Sequence, residues 1–180
     1  MRILVYGAGV QGCELAHRLL QNKKNVVTML ARGEWKERLD QRGLVIRHWA
    51  QCRTTVDRVT TIDTLAPDDC YDLVFVTMQA GQLPDVLPIL KQNKSEYFVF
   101  VGNDPHAVEV MQAMQRPADK VAFGFQSSGG LFLEVETGSK GIGTDKNGSD
   151  GSQSQKFFHK SHFELLIHRN IMYAVLPSVT

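Results

Sequence analysis

The residues whose spacing most clearly suggests chemistry lie near the start of the chain, where Gly7, Gly9 and Gly12 form a G-x-G-x-x-G run. The run follows an apolar segment at residues 3–6 and precedes a stretch with helical spacing at residues 13–20. In this order of strand, glycines and helix, the first glycine allows a tight turn and the second lets a pyrophosphate approach the backbone. The third lets the helix pack closely on the strand. The sequence therefore predicts a dinucleotide site, formed by Gly7, Ala8, Gly9, Val10, Gln11 and Gly12; the alternative is an ordinary glycine-rich turn.

A single basic residue after the second predicted strand bears on which dinucleotide is bound. The strand at residues 26–30 is followed by Ala31 and Arg32, and no carboxylate occurs before Glu34. An acidic residue about 20 positions after the glycines binds the ribose hydroxyl of NAD, whereas an arginine accommodates the 2′-phosphate of NADP. The guanidinium of Arg32 can hold a phosphate through two hydrogen bonds. We therefore expect NADP as the cofactor; the alternative is that Arg32 is a solvated surface residue.

Two further loops should reach the nicotinamide half of the cofactor, because ligands of such sheets lie at the carboxyl ends of the strands. One loop follows Thr77 and the other follows Val101. Their uncharged amides suit ribose hydroxyls or a carboxamide, although the same residue types are common in turns and helix caps. The candidate residues in these loops are Met78, Gln79, Gln82 and Asn103.

The elements that must position these residues alternate between strand and helix, which predicts a parallel sheet covered by helices. Strands are expected at residues 26–30, 44–49, 53–59, 73–77, 97–101, 121–125 and 131–135. Helices are expected at residues 13–20, 34–41 and 83–90, with Pro88 kinking or shortening the third. A fourth helix should begin after Asp104 as its N-cap. The predicted fold class is α/β, with a Rossmann-type doubly wound and mostly parallel sheet.

The chain changes character after residue 143. Residues 144–155 contain no apolar side chain and are expected to form a flexible polar linker. We expect an NADP-binding domain over residues 1–143 and a tail over residues 156–180 that starts a shortened second domain. Within the tail, a helix is predicted at residues 156–168. Because a shortened domain exposes a surface that its partner normally covers, a homodimer or higher assembly through the tail is also expected.

The composition is that of an ordinary globular protein. The chain has 180 residues, 43% hydrophobic and 22% charged residues and a net charge of +1, which suits one domain and gives no sign of nucleic-acid or membrane-surface binding. No apolar stretch approaches the length of a membrane span, and the first strand leaves no room for a signal peptide. The cysteines share no metal-type spacing and predict reduced thiols in a cytoplasmic protein without a metal site; they are Cys13, Cys52 and Cys70.

Four segments together resemble the ketopantoate reductase (2-dehydropantoate 2-reductase) family over about residues 1–143: MRILVYGAGVQG, VTMLARGEWKERLDQRGLVI, DLVFVTMQAGQLPDVLPIL and VGND. The resemblance implies an amino-terminal Rossmann domain that binds NADPH and a second, helical domain that completes the active site. It implies hydride transfer from NADPH to the 2-keto group of 2-dehydropantoate, a step of pantothenate and coenzyme A biosynthesis. It would place the three glycines at the pyrophosphate, Arg32 at the 2′-phosphate and Asn103 beside the nicotinamide ribose.

The chain departs from this family at residues expected to act on the substrate. Gln79 stands where the family has the lysine of a lysine-alanine-x-glutamine loop, and Asp104 stands where a glycine normally follows the asparagine. The family's second lysine, in a tryptophan-x-lysine-leucine motif, is unmatched at residues 176–179, and we expect this chain to lack the helical domain. Ketone reduction needs an acid or a positive donor near the carbonyl oxygen. The remaining candidates, none with a motif to place it, are His106, Lys140, Lys146 and Tyr173.

These observations lead us to expect the NADPH-binding part of a 2-dehydropantoate 2-reductase-like oxidoreductase, with little or no activity in this form. The expected substrate is a small 2-keto acid, and the catalytic residues stay unassigned. One alternative is a non-enzymatic NADP(H)-binding sensor or regulatory module, which Gln79 and the missing second lysine favour. Another is a reductase of a different 2-keto acid.

Overall fold

Strands and helices alternate through most of the computed structural model, which describes residues 1–48, 52–102, 104, 106–126, 130–135, 162–167 and 172–175. The strands are β1 (Arg2–Tyr6), β2 (Val26–Leu30), β3 (Leu44–His48), β4 (Arg53–Asp57), β5 (Thr60–Ile62), β6 (Leu73–Val76), β7 (Tyr97–Val101), β8 (Val121–Gln126), β9 (Gly130–Val135), β10 (His162–Ile167) and β11 (Met172–Val175). The helices are α1 (Val10–Leu20), α2 (Gly33–Arg42), α3 (Leu83–Gln92) and α4 (Ala107–Met114). Within these described ranges, no helix combines the length and apolar character needed to cross a membrane.

The main sheet has seven strands in the order β11-β8-β7-β6-β1-β2-β5. The strands from β8 to β5 pair in parallel, and β11 pairs antiparallel with β8 at one edge. The chain leaves β1 towards β2 and β5, and later crosses back to add β6 on the other side of β1. This reversal of strand order is the place where doubly wound sheets bind ligands. The predicted Rossmann-type α/β fold is confirmed.

Helices cover both faces of the main sheet, which explains why its central strands are apolar along their whole length. Leu4 of β1 belongs to a core that includes Leu90 of α3 and Val110 of α4. The next residue, Val5, belongs to a second core that includes Ala16 of α1. Because both faces are filled by side chains, a ligand can reach this sheet only at the ends of its strands.

A smaller, four-stranded sheet has the order β4-β3-β10-β9. Strands β3 and β4 form an antiparallel hairpin between α2 and β5. Leu44 and Ile46 of β3 are fully buried in the same core as α1, so the hairpin packs behind that helix. The two strands of the hairpin agree with the strands predicted at residues 44–49 and 53–59. The structural role of the hairpin is to support α1.

The predicted helix at residues 156–168 is wrong, because residues His162–Ile167 form β10. β10 pairs antiparallel with β9 and parallel with β3. In the sequence, Phe163, Leu165 and Ile167 recur with the period of two that is typical of a strand. Pairing with strands that are distant in the sequence outweighs the helical preference of this short segment. The domain division at residues 143, 155 and 156 stays a prediction, since residues 136–161 lie outside the described part of the chain.

Three smaller features also differ from the sequence prediction. Helix α3 continues through Pro88 to Gln92, because the burial of Leu83 and Leu90 holds the helix despite the hydrogen bond that the proline removes. Helix α4 begins at Ala107, with His106 rather than Asp104 at its N-cap. Strand β5 was not predicted, since its three residues carry too short a pattern and are defined by pairing with β2.

Candidate functional site

The glycine run lies where the sequence places it, between β1 and the first turn of α1. Gly7 has a φ of +122°, in the region that favours glycine, and a Cβ there would come within 2.9 Å of the Thr77 Oγ1 atom. A Cβ at Gly12 would lie 1.9 Å from the carbonyl oxygen of Gly7, a distance that the backbone cannot accept. A Cβ at Gly9 would meet nothing within 4 Å. The chain's own packing therefore requires glycine at positions 7 and 12, whereas at position 9 it leaves an open space beside the backbone.

The open space at Gly9 adjoins the amino terminus of α1. Gly9 is the N-cap residue and makes no side-chain capping bond, and the first turn carries no acidic residue. The first backbone bond of the helix is donated by the Cys13 N–H to the Gly9 carbonyl at 2.9 Å. The N–H groups that precede it at a helix start have no partner within the helix, and the helix dipole makes this end positive. The residues present thus fit a pyrophosphate, which is an anion small enough to lie over Gly9.

Thr77, at the end of β6, connects the neighbouring strand to the glycine loop. Its Oγ1 donates a hydrogen bond to the Gly7 carbonyl at 3.0 Å, and its N–H donates to the Tyr6 carbonyl at 3.0 Å. The same Oγ1 would lie 2.8 Å from a Cβ at Gly12. The sequence pattern places Thr77 at the end of a strand and does not predict its contact with the glycine loop. The available signal was a single polar side chain that ends an apolar run beside a glycine-rich turn.

Arg32 lies on the other side of the glycine loop, at the N-cap position of α2, and is exposed. Burial raises the pKa of the Tyr6 phenol, at the end of β1, and the positive charge of Arg32 opposes that rise. The first carboxylate after β2, that of Glu34, is 2.6 Å from the guanidinium of Arg38 and is thus engaged within α2. The first charged residue after β2 is therefore a cation, Arg32, as an NADP site requires.

A pocket of about 200 Å³ opens at the carboxyl ends of β6, β7 and β8. Both loops that were expected to reach the nicotinamide half contribute to it. Its described lining residues are Gln11, Val76, Thr77, Met78, Gln79, Ala80, Leu83, Phe100, Val101, Gly102, Asp104 and Phe123. The rings of Phe100 and Phe123 stack with centroids 5.2 Å apart and form an aromatic wall. A flat, partly apolar ring system such as nicotinamide fits this combination of aromatic and amide groups.

The two glutamines of the first loop differ in position. The N–H of Gln79 donates to Oε1 of Gln82 at 3.2 Å, and the side chain of Gln79 in turn accepts from the N–H of Gln82. This reciprocal pair caps the short 3₁₀ turn Ala80–Gln82 that leads into α3. Gln79 also lines the pocket, whereas Gln82 is absent from its described lining. The capping role that the sequence left open is therefore present for both, and a contact of Gln82 with a cofactor stays a prediction.

The second loop contributes Asp104, since Asn103 lies outside the described residues. The Asp104 Oδ1 atom accepts the backbone N–H of His106 at 2.8 Å, and the side chain is half-buried at the pocket. Asp104 is the only ionisable side chain among the described residues that line the pocket. The sequence pattern indicates a helix cap at Asp104 and a departure from the family pattern, but carries no sign that the residue lies at this pocket.

The structure places none of the four proton-donor candidates from the sequence at the described lining of the pocket. His106 is 71% exposed, 3.7 Å from the Glu109 carboxylate, and does not line the pocket. Lys140 and Lys146 lie outside the described part of the chain, and only the backbone of Tyr173 is described, in β11. In the ranges that are described, no cluster of three or more His, Cys, Asp or Glu residues is arranged to hold a metal ion.

Solved structures with the same fold include several reductases. The probable 2-dehydropantoate 2-reductase of Bacillus subtilis aligns with 73% of this chain at 17% identity and a TM-score of 0.62. The 2-dehydropantoate 2-reductase of Geobacter metallireducens GS-15 aligns with 77% at 20% identity and a TM-score of 0.55. A D-mandelate dehydrogenase, solved with NADH and anilino(oxo)acetate, aligns with 77% at 17% identity and a TM-score of 0.61.

These structural matches cover only 43% to 44% of each of those chains, so this chain spans less than half of their length. At such low identities they show the shared fold. No curated protein matches the sequence.

A family model gives the more specific result. Residues 3–129 match the model described as ketopantoate reductase PanE/ApbA. The matched range runs from β1 to just beyond β8 and includes the glycine loop, Arg32 and both loops of the pocket. The chain therefore belongs to the ketopantoate reductase family.

Proposed function

We propose that this chain binds NADPH and forms the cofactor-binding half of a 2-dehydropantoate 2-reductase-type oxidoreductase. The observation that carries the proposal is the open space over Gly9, next to the unpartnered N–H groups at the start of α1. On one side of that space lies the exposed cation Arg32, and on the other lies the pocket at the ends of β6 to β8. A dinucleotide that crosses the sheet at the reversal of strand order would contact all three.

The preference for NADP over NAD depends on Arg32. The fold by itself does not choose, since the D-mandelate dehydrogenase of similar fold was solved with NADH. In this chain the guanidinium of Arg32 is exposed and can hold a 2′-phosphate through two charged hydrogen bonds. The Glu34 carboxylate, which could bind the ribose hydroxyl of NAD, is engaged by Arg38.

The cofactor would supply a hydride, and the chain's own groups would bind and orient it. The N–H groups of the glycine loop would hold the pyrophosphate, and Gln11, Met78 and Gln79 would contact the ribose and nicotinamide side. The aromatic wall of Phe100 and Phe123 would exclude water from one side of the pocket. We assign no proton donor, since Gln79 stands where the family has lysine.

The absent donor leads to a negative expectation about catalysis. An uncharged amide at position 79 brings no full positive charge to a carbonyl oxygen and has no proton to transfer to it during hydride transfer. We therefore propose that this chain alone turns over 2-dehydropantoate slowly or not at all. A cytoplasmic location and a homodimer through the tail remain predictions that accompany this proposal.

Titration with reduced dinucleotides tests the proposed cofactor. Arg32→Gln is expected to weaken NADPH binding about 10- to 50-fold and to leave NADH binding unchanged, because only NADPH carries the 2′-phosphate. Arg42→Gln is the matched control, since Arg42 is also an exposed arginine of α2 but lies at its other end. If NADPH fails to bind the unmodified chain, or if Arg32→Gln weakens both dinucleotides equally, the proposed cofactor is wrong.

A second candidate function, a non-enzymatic NADP(H) sensor, is favoured by the neutral Gln79 and the acidic Asp104 at the pocket. Incubation of the chain with NADPH and 2-dehydropantoate separates the two functions. Oxidation of NADPH that depends on 2-dehydropantoate supports an enzyme, and oxidation that depends only on a different 2-keto acid supports a related reductase. Tight NADPH binding without oxidation supports the sensor.

A further inference from the structure

The pocket at the ends of β6 to β8 is the nicotinamide end of the proposed site. Arg32 marks the other end, because it follows β2, which lies on the opposite side of β1 from β6. A dinucleotide whose 2′-phosphate lies at Arg32 and whose pyrophosphate lies over Gly9 must extend its second nucleotide towards β6 and β7. The pocket opens there, and Gln11 of α1 lines its near side.

The charge in this pocket has one sign. Of the described lining residues, only Asp104 is ionisable, and the others are amide, hydroxyl, glycine or apolar residues. The N–H of His106 holds the Asp104 Oδ1 atom at 2.8 Å, so the carboxylate is fixed in place at the wall of the pocket. The aromatic rings of Phe100 and Phe123 face the same space and keep the local dielectric below that of water.

The two redox forms of the cofactor differ in charge at this end only. The nicotinamide ring of NADP⁺ is a cation, whereas the dihydronicotinamide ring of NADPH is neutral. A fixed carboxylate attracts the cation, and the low dielectric beside the aromatic rings strengthens this attraction. The contacts of the pyrophosphate and the 2′-phosphate are the same in the two forms, so they do not contribute to the difference in affinity between NADP⁺ and NADPH.

We propose that the Asp104 pocket makes this chain bind NADP⁺ more tightly than NADPH. The inference rests on the proposed dinucleotide site and adds a property that the family resemblance does not imply. In a sensor, such a site reports the oxidised fraction of the NADP pool. In a reductase, it favours hydride donation and slows release of the oxidised cofactor, because the carboxylate stabilises the positive charge that develops on the ring.

Calorimetric titration of the whole chain with NADP⁺ and NADPH, each alone, measures the preference directly. The unmodified chain is expected to bind NADP⁺ about fivefold more tightly than NADPH. Asp104→Asn is expected to bring this ratio close to one by weakening NADP⁺ and leaving NADPH unchanged. Asparagine retains an oxygen for the His106 N–H, so the loop keeps its hydrogen bond. Asp85→Asn is the matched control, since Asp85 is an exposed residue of α3 that does not line the pocket.

A reciprocal variant adds the opposite charge at the same pocket. Gln79→Lys is expected to bring the ratio close to one, because the ammonium group offsets the Asp104 carboxylate. Gln79→Lys combined with Asp104→Asn is expected to reverse the preference, because the ammonium group then repels the oxidised ring. Equal affinities in the unmodified chain, or a ratio that Asp104→Asn leaves unchanged, would overturn the inference while leaving the dinucleotide site intact. Failure of both NADP⁺ and NADPH to bind would instead overturn the proposed function, and the inference with it.

Discussion

The two ends of the proposed site are built in different ways. The pyrophosphate end consists of backbone, since Gly7 and Gly12 are fixed by contacts that leave no room for a Cβ, and Gly9 leaves an open surface. The nicotinamide end consists of side chains from three strand ends, among which Gln79 and Asp104 differ from the family pattern. The first end binds a group that every dinucleotide has, and the second decides what the bound cofactor can do.

This difference indicates that one fold can keep the ability to bind a dinucleotide while the residues that act on the nicotinamide change. Only a substitution to proline removes a backbone N–H group, so the pyrophosphate end survives most sequence changes as long as the turn is retained. The charge of a side chain at the nicotinamide end changes in a single substitution, and position 79 of this chain carries a neutral glutamine. We therefore expect changes at the first end to affect binding, and stability as well where packing leaves no room for a Cβ, and changes at the second to affect selectivity alone.

The largest expected effect comes from Gly12→Ala. The new Cβ would lie 1.9 Å from the Gly7 carbonyl oxygen, so α1 must move away from β1. We expect a loss of about 3 kcal/mol in the free energy of unfolding and a loss of NADPH affinity of more than about 100-fold, measured by urea unfolding and by titration.

Gly9→Ala is the matched control, because its Cβ meets nothing within 4 Å. It should leave the stability nearly unchanged and still weaken NADPH about tenfold, since the methyl group enters the space proposed for the pyrophosphate. Unchanged NADPH affinity in this variant would mean that the pyrophosphate does not lie over Gly9.

The next largest effect is expected behind α1. The Nδ1 atom of His17, a buried residue of α1, lies 2.5 Å from the Asp57 Oδ2 atom at the end of β4. Asp57→Asn removes the charge from this contact and should lower the free energy of unfolding by about 2 kcal/mol. NADPH affinity should fall only about twofold, because the variant loosens the support of α1 without touching the site. Asp68→Asn is the control, because Asp68 forms an exposed ion pair with Lys94, and it should leave the urea midpoint unchanged. If the two variants lower the stability equally, the contact between His17 and Asp57 does not stabilise α1.

Thr77→Val tests the connection between the two ends. It removes the hydroxyl that donates to the Gly7 carbonyl at 3.0 Å while retaining the shape of the side chain. NADPH affinity is expected to fall about fivefold with little change in melting temperature, since the glycine loop loses one positioning hydrogen bond. Thr77→Ser retains the hydroxyl and should restore most of the affinity. An equal loss in both variants would point to packing of the methyl group instead.

The smallest expected effect is a pH dependence of stability that leaves both ends of the site unaffected. Burial lowers the pKa of His48 from its ordinary value of 6.5. The charge of Asp57 opposes this shift, and the shift is increased by the positive charges of His17, Arg53 and Arg18. Below about pH 6.5 the unfolded chain therefore binds a proton at His48 more readily than the folded chain does. Stability should rise as the pH increases to about 6.5 and fall as the pH decreases through the window below it.

His48→Gln should reduce that slope in urea unfolding measured between about pH 5 and about pH 7. Glutamine can replace the hydrogen bond between His48 Nε2 and Thr55 Oγ1, which are 2.8 Å apart. A slope that is identical in the variant would assign the pH dependence to other groups.

Local patterns predicted most of the elements that hold the site. The strands at residues 26–30 and 97–101 agree residue for residue, because buried parallel strands are short apolar runs that need no partner to be recognised. The strand β10 was mistaken for a helix, since its partners β9 and β3 are separated from it by many residues. Pro88 was expected to disturb α3, but the burial of neighbouring side chains retains the helix.

The sequence by itself determined the glycine loop, its place between a strand and a helix, and the cation at position 32, because each depends on the conformation or chemistry of residues that are close along the chain. The tertiary structure decided that Thr77 meets Gly7 across 70 residues and that Asp104 faces the pocket. Those contacts depend on the order of strands in the sheet, which brings the ends of β1, β6, β7 and β8 together. Strand order arises from packing between distant segments, and no short stretch of sequence carries it.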